Sequence, residues 1–119
     1  MKIGTDIIEI DRIAHAIKRD HFLNKYFTTN EIMLIQKKGA PSAAANFAGK
    51  EAIAKAIGTG FSEGIDPRQI EILRDDQTNE PYVILHKNAK LHMAKLKYNH
   101  IEISLSHCKA YATAMVLIH

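Results

Sequence analysis

A single cysteine, Cys108, is the only thiol in the 119-residue sequence. One cysteine cannot form a disulfide within the chain, which suits a reducing compartment. The sequence also lacks an apolar run of the ~20 residues that cross a bilayer, and its start, M-K-I-G-T-D, has no apolar signal segment. We therefore expect a cytoplasmic protein that does not bind a membrane.

The excess of positive over negative charge is too small to identify a class of partner. The net charge is +3, and no block of lysine and arginine is dense enough to form a nucleic-acid-binding arm. No strand is rich in aromatic residues, as an RNA-binding platform would be. Hydrophobic residues make up 46% and charged residues 24%, which is typical of one globular domain, here spanning residues 1–119. We expect no nucleic-acid partner and a weak preference for acidic partners.

Hydrophobic periodicity predicts an α+β fold with a mostly antiparallel sheet, a long central helix and several short helices. The predicted strands are residues 2–10, 69–74, 81–86, 100–106 and 112–118, and the last four form two hairpins. The predicted helices are residues 11–19, 28–38 and 42–57, with Asp11 and Ser42 as N-caps. Residues 21–27 are predicted to be a connector, and residues 88–97 fit either a strand or a short helix.

Two carboxylates in these elements need an explanation. Asp6 interrupts an apolar strand, where a carboxylate is costly unless it is exposed, hydrogen-bonded, paired or bound to a metal. Thr28 to Glu31 has the S/T-x-x-E form of a capping box, so we interpret Glu31 as a helix cap in preference to a catalytic group. Asp6 therefore lies at an exposed strand end or has a function.

The chain is organised around the stretch N-F-A-G-K-E-A-I-A-K-A-I-G-T-G. At about 100° per residue, Glu51 and Lys55 are neighbours on one helix face, and such a pair is usually only solvated and contributes about 0.3–0.5 kcal/mol. Lys50 falls within the apolar stripe, so it must extend out to solvent or meet an anion. Gly58 and Gly60 are expected to end the helix with positive φ.

Asp6 and Glu51 together predict a metal site. Two carboxylates, with waters completing an octahedron, hold Mg²⁺ while leaving positions for phosphate oxygens. Lys50, Lys55 and His107 would neutralise the remaining charge of a diphosphate. This combination points to phosphoryl-type transfer from a nucleotide-like donor, although spacing alone does not show that the pieces meet in space.

Four motifs in order carry a resemblance to a known family. They are I-G-T-D-I-I-E-I-D-R-I, F-T-x-x-E at Phe27 to Glu31, F-A-G-K-E-A-I-A-K-A-I-G-T-G, and I-S-L-S-H. The chain resembles, over nearly its whole length, the holo-acyl-carrier-protein synthases, the small trimeric class of 4′-phosphopantetheinyl transferases. The resemblance implies their fold and Mg²⁺-dependent transfer of phosphopantetheine from coenzyme A to a serine of apo acyl carrier protein. It also implies release of adenosine 3′,5′-bisphosphate and a role in fatty acid biosynthesis.

The resemblance also implies roles for individual residues. Asp6 and Glu51 match the family's metal-binding carboxylates, and Lys55 matches the lysine near the scissile diphosphate, which makes Glu51 and Lys55 the expected catalytic pair. Coenzyme A contacts are expected from Lys50, Lys55, Gly58, Gly60, Pro81 and His107. The basic residues expected to meet the acidic carrier protein are Arg12, Lys18 and Arg19. Active sites between neighbouring subunits of a homotrimer are expected, and the general base stays open between Glu51 acting through water and Glu31.

Two departures from the family pattern affect the nucleotide end of the site. Asn46 stands where members commonly carry arginine, and Asn79-Glu80-Pro81 stands where Gly-Lys-Pro is usual. Both put nucleotide affinity in doubt and leave open a transferase that has lost activity or been repurposed. A rival interpretation from another class is a non-catalytic basic module that binds RNA or an acidic protein. Cys108 lies beside His107, but we interpret it as a small buried thiol and not as a nucleophile.

Overall fold

Five helices and five strands make up the computed structural model, which describes residues 1–119. The strands are β1 Lys2–Glu9, β2 Ile70–Arg74, β3 Pro81–Leu85, β4 Ile101–His107 and β5 Tyr111–Ile118. The helices are α1 Ile10–Ala16, α2 Asp20–Tyr26, α3 Thr29–Lys38, α4 Ala40–Ile57 and α5 Lys87–Lys95, with a short 3-10 turn at Pro67–Gln69. No helix is both long and apolar enough to span a bilayer. The predicted α+β class is confirmed.

All strand pairing is antiparallel. The order β1-β5-β4 forms a three-stranded sheet, and β2 and β3 form a separate hairpin. Both predicted hairpins are therefore confirmed. The pairing of β1 with β5 aligns Asp6 with Ala114 across the sheet, and periodicity gives no signal for so distant a partner.

Helix α4 lies at the centre of the molecule and packs on the inner face of the three-stranded sheet. The closest approach is at Gly4 of β1, because a Cβ atom there would come within 1.9 Å of the carbonyl oxygen of Ala52. Only a residue without a side chain lets the two backbones approach so closely. This contact places the segment of β1 that carries Asp6 beside the middle of α4.

The predicted boundaries need four corrections. Glu9 is the N-cap of α1, and Asp11 lies in its first turn. Helix α1 ends at Ala16 because a second helix, α2, begins at Asp20 within the segment expected to connect. Helix α4 begins after Gly39, so Ser42 lies inside it and does not cap it. Finally, the ambiguous segment at residues 88–97 is the helix α5.

Cys108 lies in the turn between β4 and β5 and is exposed, so the expectation of a buried thiol is wrong. The strand ends at His107, and the alternation that would have turned the next side chain toward the core therefore does not continue.

Candidate active site

Asp6 and Lys55 form an ion pair between β1 and α4. The Nζ atom of Lys55 lies 3.0 Å from Oδ1 of Asp6 and donates a second hydrogen bond to the carbonyl oxygen of Thr5 at 3.1 Å. The Lys55 side chain is 56% exposed and that of Asp6 is 17% exposed. The pair therefore lies at the surface with its carboxylate partly shielded and one ammonium hydrogen free.

Glu51 lies one helical turn before Lys55 on the same face of α4 and completes this group. Partial burial raises its pKa above the ordinary value, and the negative charge of Asp6 raises the pKa further. Lys55 and Arg12 act in the opposite direction. The charge of Asp6 is therefore close enough to disfavour ionisation of Glu51, which is the electrostatic setting that a cation relieves.

The donor set fits a divalent cation that keeps much of its hydration shell. No group of three or more histidine, cysteine, aspartate or glutamate side chains is arranged to hold a metal ion. A site formed by Asp6 and Glu51 alone would leave the remaining positions to water or to phosphate oxygens, which suits Mg²⁺ better than Zn²⁺ or Ca²⁺. The structure brings these carboxylates and Lys55 together, while their metal-binding and catalytic roles stay predictions.

Lys50 points about 100° away from Glu51 around the axis of α4 and is only 1% exposed. Its Nζ atom donates to Oε1 of Glu31 at 2.7 Å and to the carbonyl oxygens of Pro67 at 2.8 Å and Ile70 at 2.5 Å. All three ammonium hydrogens are used, and none faces solvent. The expected contact between Lys50 and a coenzyme A phosphate is therefore corrected. The sequence left Lys50 either extending to solvent or meeting an anion, and the structure shows that it meets the carboxylate of Glu31.

That anion, Glu31, is fully buried, and burial raises the pKa of its carboxyl while Lys50 and the backbone donors act in the opposite direction. Its Oε1 atom accepts hydrogen bonds from Lys50 and the Thr28 backbone N–H, and its Oε2 atom accepts from the Asn46 side chain and the Ile72 backbone N–H. Every partner is a donor, so a carboxyl proton has no acceptor nearby. The predicted capping box is confirmed, and Glu31 is excluded as the general base because it has neither access nor a free lone-pair direction.

Asn46, which stands where family members commonly carry arginine, has a structural role in the interior. Its side chain is buried, and its Nδ2 atom bonds to Glu31 and to the carbonyl oxygen of Ile72. Its Oδ1 atom has no hydrogen-bond partner. Asn46 thus belongs to the interior network and does not present a group to a ligand.

The remaining residues expected to contact coenzyme A lie apart from the carboxylates within one chain. Gly58 caps α4 in the left-handed conformation at φ 96°, and Gly60 follows at φ 58°, as the sequence predicts. Pro81 begins β3, beside the turn where Asn79 contacts Lys38. His107 ends β4 on the sheet face that also carries Asp6, two strands across and two residues along, which is roughly 12 Å away. Their ligand contacts stay predictions.

Two of the predicted carrier-binding residues border a groove that the sequence did not reveal. Arg12 and Arg19 line a depression of about 290 Å³ between α1, α2 and α4, whereas Lys18 lies exposed in the intervening turn. The other residues that line the groove are Ile13, His15, Ala16, Phe22, Tyr26 and Phe47. The i, i+4 spacing of Phe22 and Tyr26, whose rings stack at 4.6 Å, was the available signal for α2.

Comparison with known proteins gives one consistent result. The sequence model of the 4′-phosphopantetheinyl transferase superfamily matches residues 2–116. A holo-[acyl-carrier-protein] synthase of Fusobacterium nucleatum is 46% identical, covering 98% of this chain and 96% of its own length. One from Ruminiclostridium cellulolyticum is also 46% identical, covering 99% of this chain and 91% of its own length.

Solved structures agree with the sequence relatives. The Helicobacter pylori holo-[acyl-carrier-protein] synthase in complex with coenzyme A superposes with a TM-score of 0.86 at 32% identity, covering 98% of this chain and 99% of its own. The Neisseria meningitidis enzyme superposes with a TM-score of 0.89 at 27% identity, covering 99% of this chain and 97% of its own. With its fold, motif order and sequence all in agreement, this chain belongs to the 4′-phosphopantetheinyl transferase superfamily, in the family of the holo-[acyl-carrier-protein] synthases.

Proposed function

We propose that this protein transfers 4′-phosphopantetheine from coenzyme A to a serine of apo acyl carrier protein in the cytoplasm and so supports fatty acid biosynthesis. Adenosine 3′,5′-bisphosphate is the second product. The observation that carries the proposal is the grouping of Asp6, Glu51 and Lys55 at the junction of β1 and α4. The relative from H. pylori, which was solved with coenzyme A, supports the same donor for this chain.

Asp6 and Glu51 would hold Mg²⁺ at the mouth of this junction. When bound there, the ion supplies charge withdrawal from the diphosphate of coenzyme A. The two carboxylates fit this role because they are near enough to raise the Glu51 pKa and are not enclosed by other ligands. Their partial exposure leaves space for water and for phosphate oxygens on the open side.

Lys55 stabilises the leaving group in this proposal. Its ammonium keeps one free hydrogen while Asp6 and the Thr5 carbonyl hold the other two, so the charge is already oriented before substrate arrives. As the serine oxygen attacks the phosphorus in line, negative charge grows on the oxygen of the leaving 5′-phosphate. A donor fixed beside that oxygen lowers the barrier because it needs no reorganisation.

The serine hydroxyl needs a base, and Glu51 acting through a water molecule is our candidate. A carboxylate whose pKa is raised above the ordinary range accepts a proton more readily than a solvated one. Glu31 offers no alternative, because all of its lone-pair directions are occupied inside the protein.

The carrier protein would dock across α1, where Arg12, Lys18 and Arg19 are exposed. The groove beside Arg12 and Arg19 adds an apolar floor formed in part by Phe22 and Phe47. An acidic helix with one apolar side chain at its centre matches a surface of this kind, because charge orients the encounter and the groove buries the anchor. Both features favour an acidic protein over RNA, since the aromatic rings beside the basic residues line a groove between helices and do not form a sheet platform on which bases stack.

The outer face of the three-stranded sheet supports assembly into a trimer with active sites between subunits. Ile3 is 68% exposed, Ile7 59% and Met115 62%, and the three lie on one side of neighbouring strands β1 and β5. A contiguous apolar sheet face of this kind is typical of an interface. A neighbouring subunit would bring a second set of residues, including Pro81 or His107, toward Asp6 and Glu51.

Intact-mass measurement of the carrier protein tests the proposed function. Incubation with coenzyme A, Mg²⁺ and an apo acyl carrier protein should add one phosphopantetheine group per carrier and release one adenosine 3′,5′-bisphosphate. The adduct should be absent when the acceptor serine is replaced by alanine or when the metal is chelated. No adduct on any of several carrier proteins would reject the proposal, and coenzyme A binding without transfer would identify a transferase that has lost activity.

A further inference from the structure

The rotation of α4 about its own axis decides whether the active site exists. Glu51 and Lys55 face Asp6 only if α4 has its observed orientation, since a turn of about 100° per residue exchanges one face for another. Apart from Ile53 and Ile57, the buried apolar residues of this helix are all small: Gly49 and the alanines Ala43, Ala44, Ala45, Ala48, Ala52, Ala54 and Ala56. Such small side chains form shallow ridges, and shallow ridges specify a rotational setting weakly.

Buried polar contacts on α4 do specify the setting: the Asn46 side chain bonds to Glu31 and to Ile72 of β2, and Lys50 makes the larger set. The Lys50 ammonium has three acceptors, which come from α3, from the 3-10 turn at Pro67–Gln69 and from β2. Glu31, the partner of Lys50, also accepts a hydrogen bond from the Ile72 backbone N–H and so adds a second contact with β2. Any rotation of α4 would withdraw the ammonium from all three acceptors and leave two opposite charges buried without partners. Buried ionic groups of this kind are best known for fixing register in preference to adding stability.

The geometry connects this contact directly to the carboxylate pair. Lys50 immediately precedes Glu51, so their side chains diverge by about 100° around the helix axis. Holding Lys50 against α3 and β2 therefore turns Glu51 toward β1, and Lys55 falls about 40° from Glu51 on the same side. Gly4 fixes the distance between β1 and α4, but it leaves the rotation free.

We propose that Lys50 and Glu31 are positioning residues for the active site, and that their buried ion pair sets the rotation of α4 so that Glu51 and Lys55 meet Asp6. This rests on the proposed function of Asp6, Glu51 and Lys55. Neither Lys50 nor Glu31 touches substrate or metal. They act through the helix, as partners behind metal ligands commonly do.

The test replaces the pair with neutral residues of similar size, in the double variant Glu31→Gln plus Lys50→Met. Glutamine keeps one acceptor oxygen at the position of the Glu31 carboxylate, and removing both charges together avoids leaving one buried and unpaired. Binding of Mn²⁺, as a spectroscopic substitute for Mg²⁺, is measured on the purified protein with and without coenzyme A. The Mg²⁺ dependence of transfer is measured in parallel.

Met93→Ala is the matched control. It removes buried side-chain volume from α5, which destabilises the fold through a change on a different helix from α4. Both proteins are assayed well below their melting temperatures, where each is folded by circular dichroism. A purely structural role for the ion pair predicts that the double variant and Met93→Ala behave alike once folded.

We expect Mn²⁺ affinity to fall about 10–100-fold in the folded double variant, the usual effect of losing a group that orients a metal ligand. Excess Mg²⁺ should restore part of the transfer rate, whereas Met93→Ala should keep wild-type Mn²⁺ affinity and transfer. Unchanged Mn²⁺ affinity in the double variant would overturn the proposal. If the double variant does not fold, Glu31→Gln alone is judged by the same criterion, and failure of both to fold would assign the pair to folding and reject the positioning role.

Failure of the proposed function gives a different result. A wild-type protein that binds Mn²⁺ but transfers nothing would reject the function and leave the positioning test intact. A wild-type protein that binds no Mn²⁺ even with coenzyme A would remove the metal site, and the positioning role with it.

Discussion

The Nζ atom of Lys55 lies 3.0 Å from Oδ1 of Asp6, although 49 positions separate the two residues along the chain. The contact joins the first strand to the longest helix and exists because Gly4 lets the two backbones approach closely. Asp6, a predicted metal ligand, thus also holds the Lys55 ammonium group that we expect to stabilise the leaving group. The two acceptors hold two of the ammonium hydrogens of Lys55 and leave the third free for a diphosphate oxygen.

Replacing Lys55 with methionine should separate catalysis from stability. The side chain is 56% exposed, so loss of its ion pair should cost no more than about 1 kcal/mol of unfolding free energy. Loss of a donor aimed at the leaving oxygen should lower kcat about 100–1000-fold. Melting curves and the transfer assay measure the two effects, and Lys95→Met on the exposed side of α5 is the control. A decrease in kcat of less than threefold would contradict the role of Lys55.

Replacing Glu51 with glutamine should stabilise the metal-free protein while removing transfer. Burial and the Asp6 charge raise the Glu51 pKa in the folded state, so the native state binds this proton more tightly than the unfolded state does. The ionised Glu51 carboxylate therefore lowers the free energy of unfolding at neutral pH. This destabilisation disappears as the pH falls through the folded-state pKa of Glu51. We expect Glu51→Gln to raise the melting temperature by about 1–4 °C at pH 7 in the presence of a chelator.

The control for Glu51 is Glu9→Gln, which neutralises an exposed carboxylate on β1. The difference in melting temperature between wild type and Glu51→Gln should shrink toward zero at acid pH, and the Glu9→Gln difference should stay small throughout. A Glu51→Gln protein that is less stable at pH 7 without metal, or that still transfers at the wild-type rate, would contradict the assignment.

Reversing the charge of Arg19 should weaken capture of the carrier protein without affecting chemistry. Arg19→Glu is preferred over Arg12→Glu because Arg12 also lies near enough to influence the Glu51 pKa. We expect KM for the carrier protein to rise roughly tenfold, with kcat and KM for coenzyme A unchanged, since a charge at the edge of an interface acts on encounter. Lys95→Glu makes the same charge change on α5. Equal effects of the two variants would show that only net charge matters.

A charge on the exposed sheet face should separate the subunits of the proposed trimer. Met115 is 62% exposed in the isolated chain, so Met115→Lys should leave the fold unchanged in circular dichroism. If this face is the subunit interface, light scattering should find monomers at micromolar concentration, and transfer should fall because each site needs two subunits. Leu91→Lys, at a residue that is 61% exposed on α5, should remain trimeric. A wild-type protein that is monomeric while fully active would show that this sheet face is not a subunit interface needed for transfer.

Local signals in the sequence predicted most of the elements around the site. The capping box at Thr28 and Glu31 gave the start of α3, and Gly58 gave the end of α4. The i, i+4 relation of Glu51 and Lys55 placed them on one face, and Asp6 was conspicuous as a carboxylate within an apolar strand. Each of these signals depends only on neighbours within one turn of helix or a few strand positions.

Long-range contacts are the part that the sequence did not predict. The local pattern gave Glu31 its capping role, but its second role as the partner of Lys50 depends on a contact between two different helices. Lys50 was therefore assigned to a ligand phosphate when it is bound inside the protein. Helix α2 was missed because its aromatic residues pack on Phe47 from α4, and this tertiary packing stabilises a segment without a strong helical pattern.

An anomalous-difference map from crystals grown with Mn²⁺ and coenzyme A would locate the metal that we assign to Asp6 and Glu51. We expect one strong peak bonded to a carboxylate oxygen of Asp6 and one of Glu51, with the diphosphate of coenzyme A completing its coordination and Lys55 beside the leaving oxygen. A coenzyme A molecule bound with no peak at these two carboxylates, or with the metal held by other residues, would contradict this assignment.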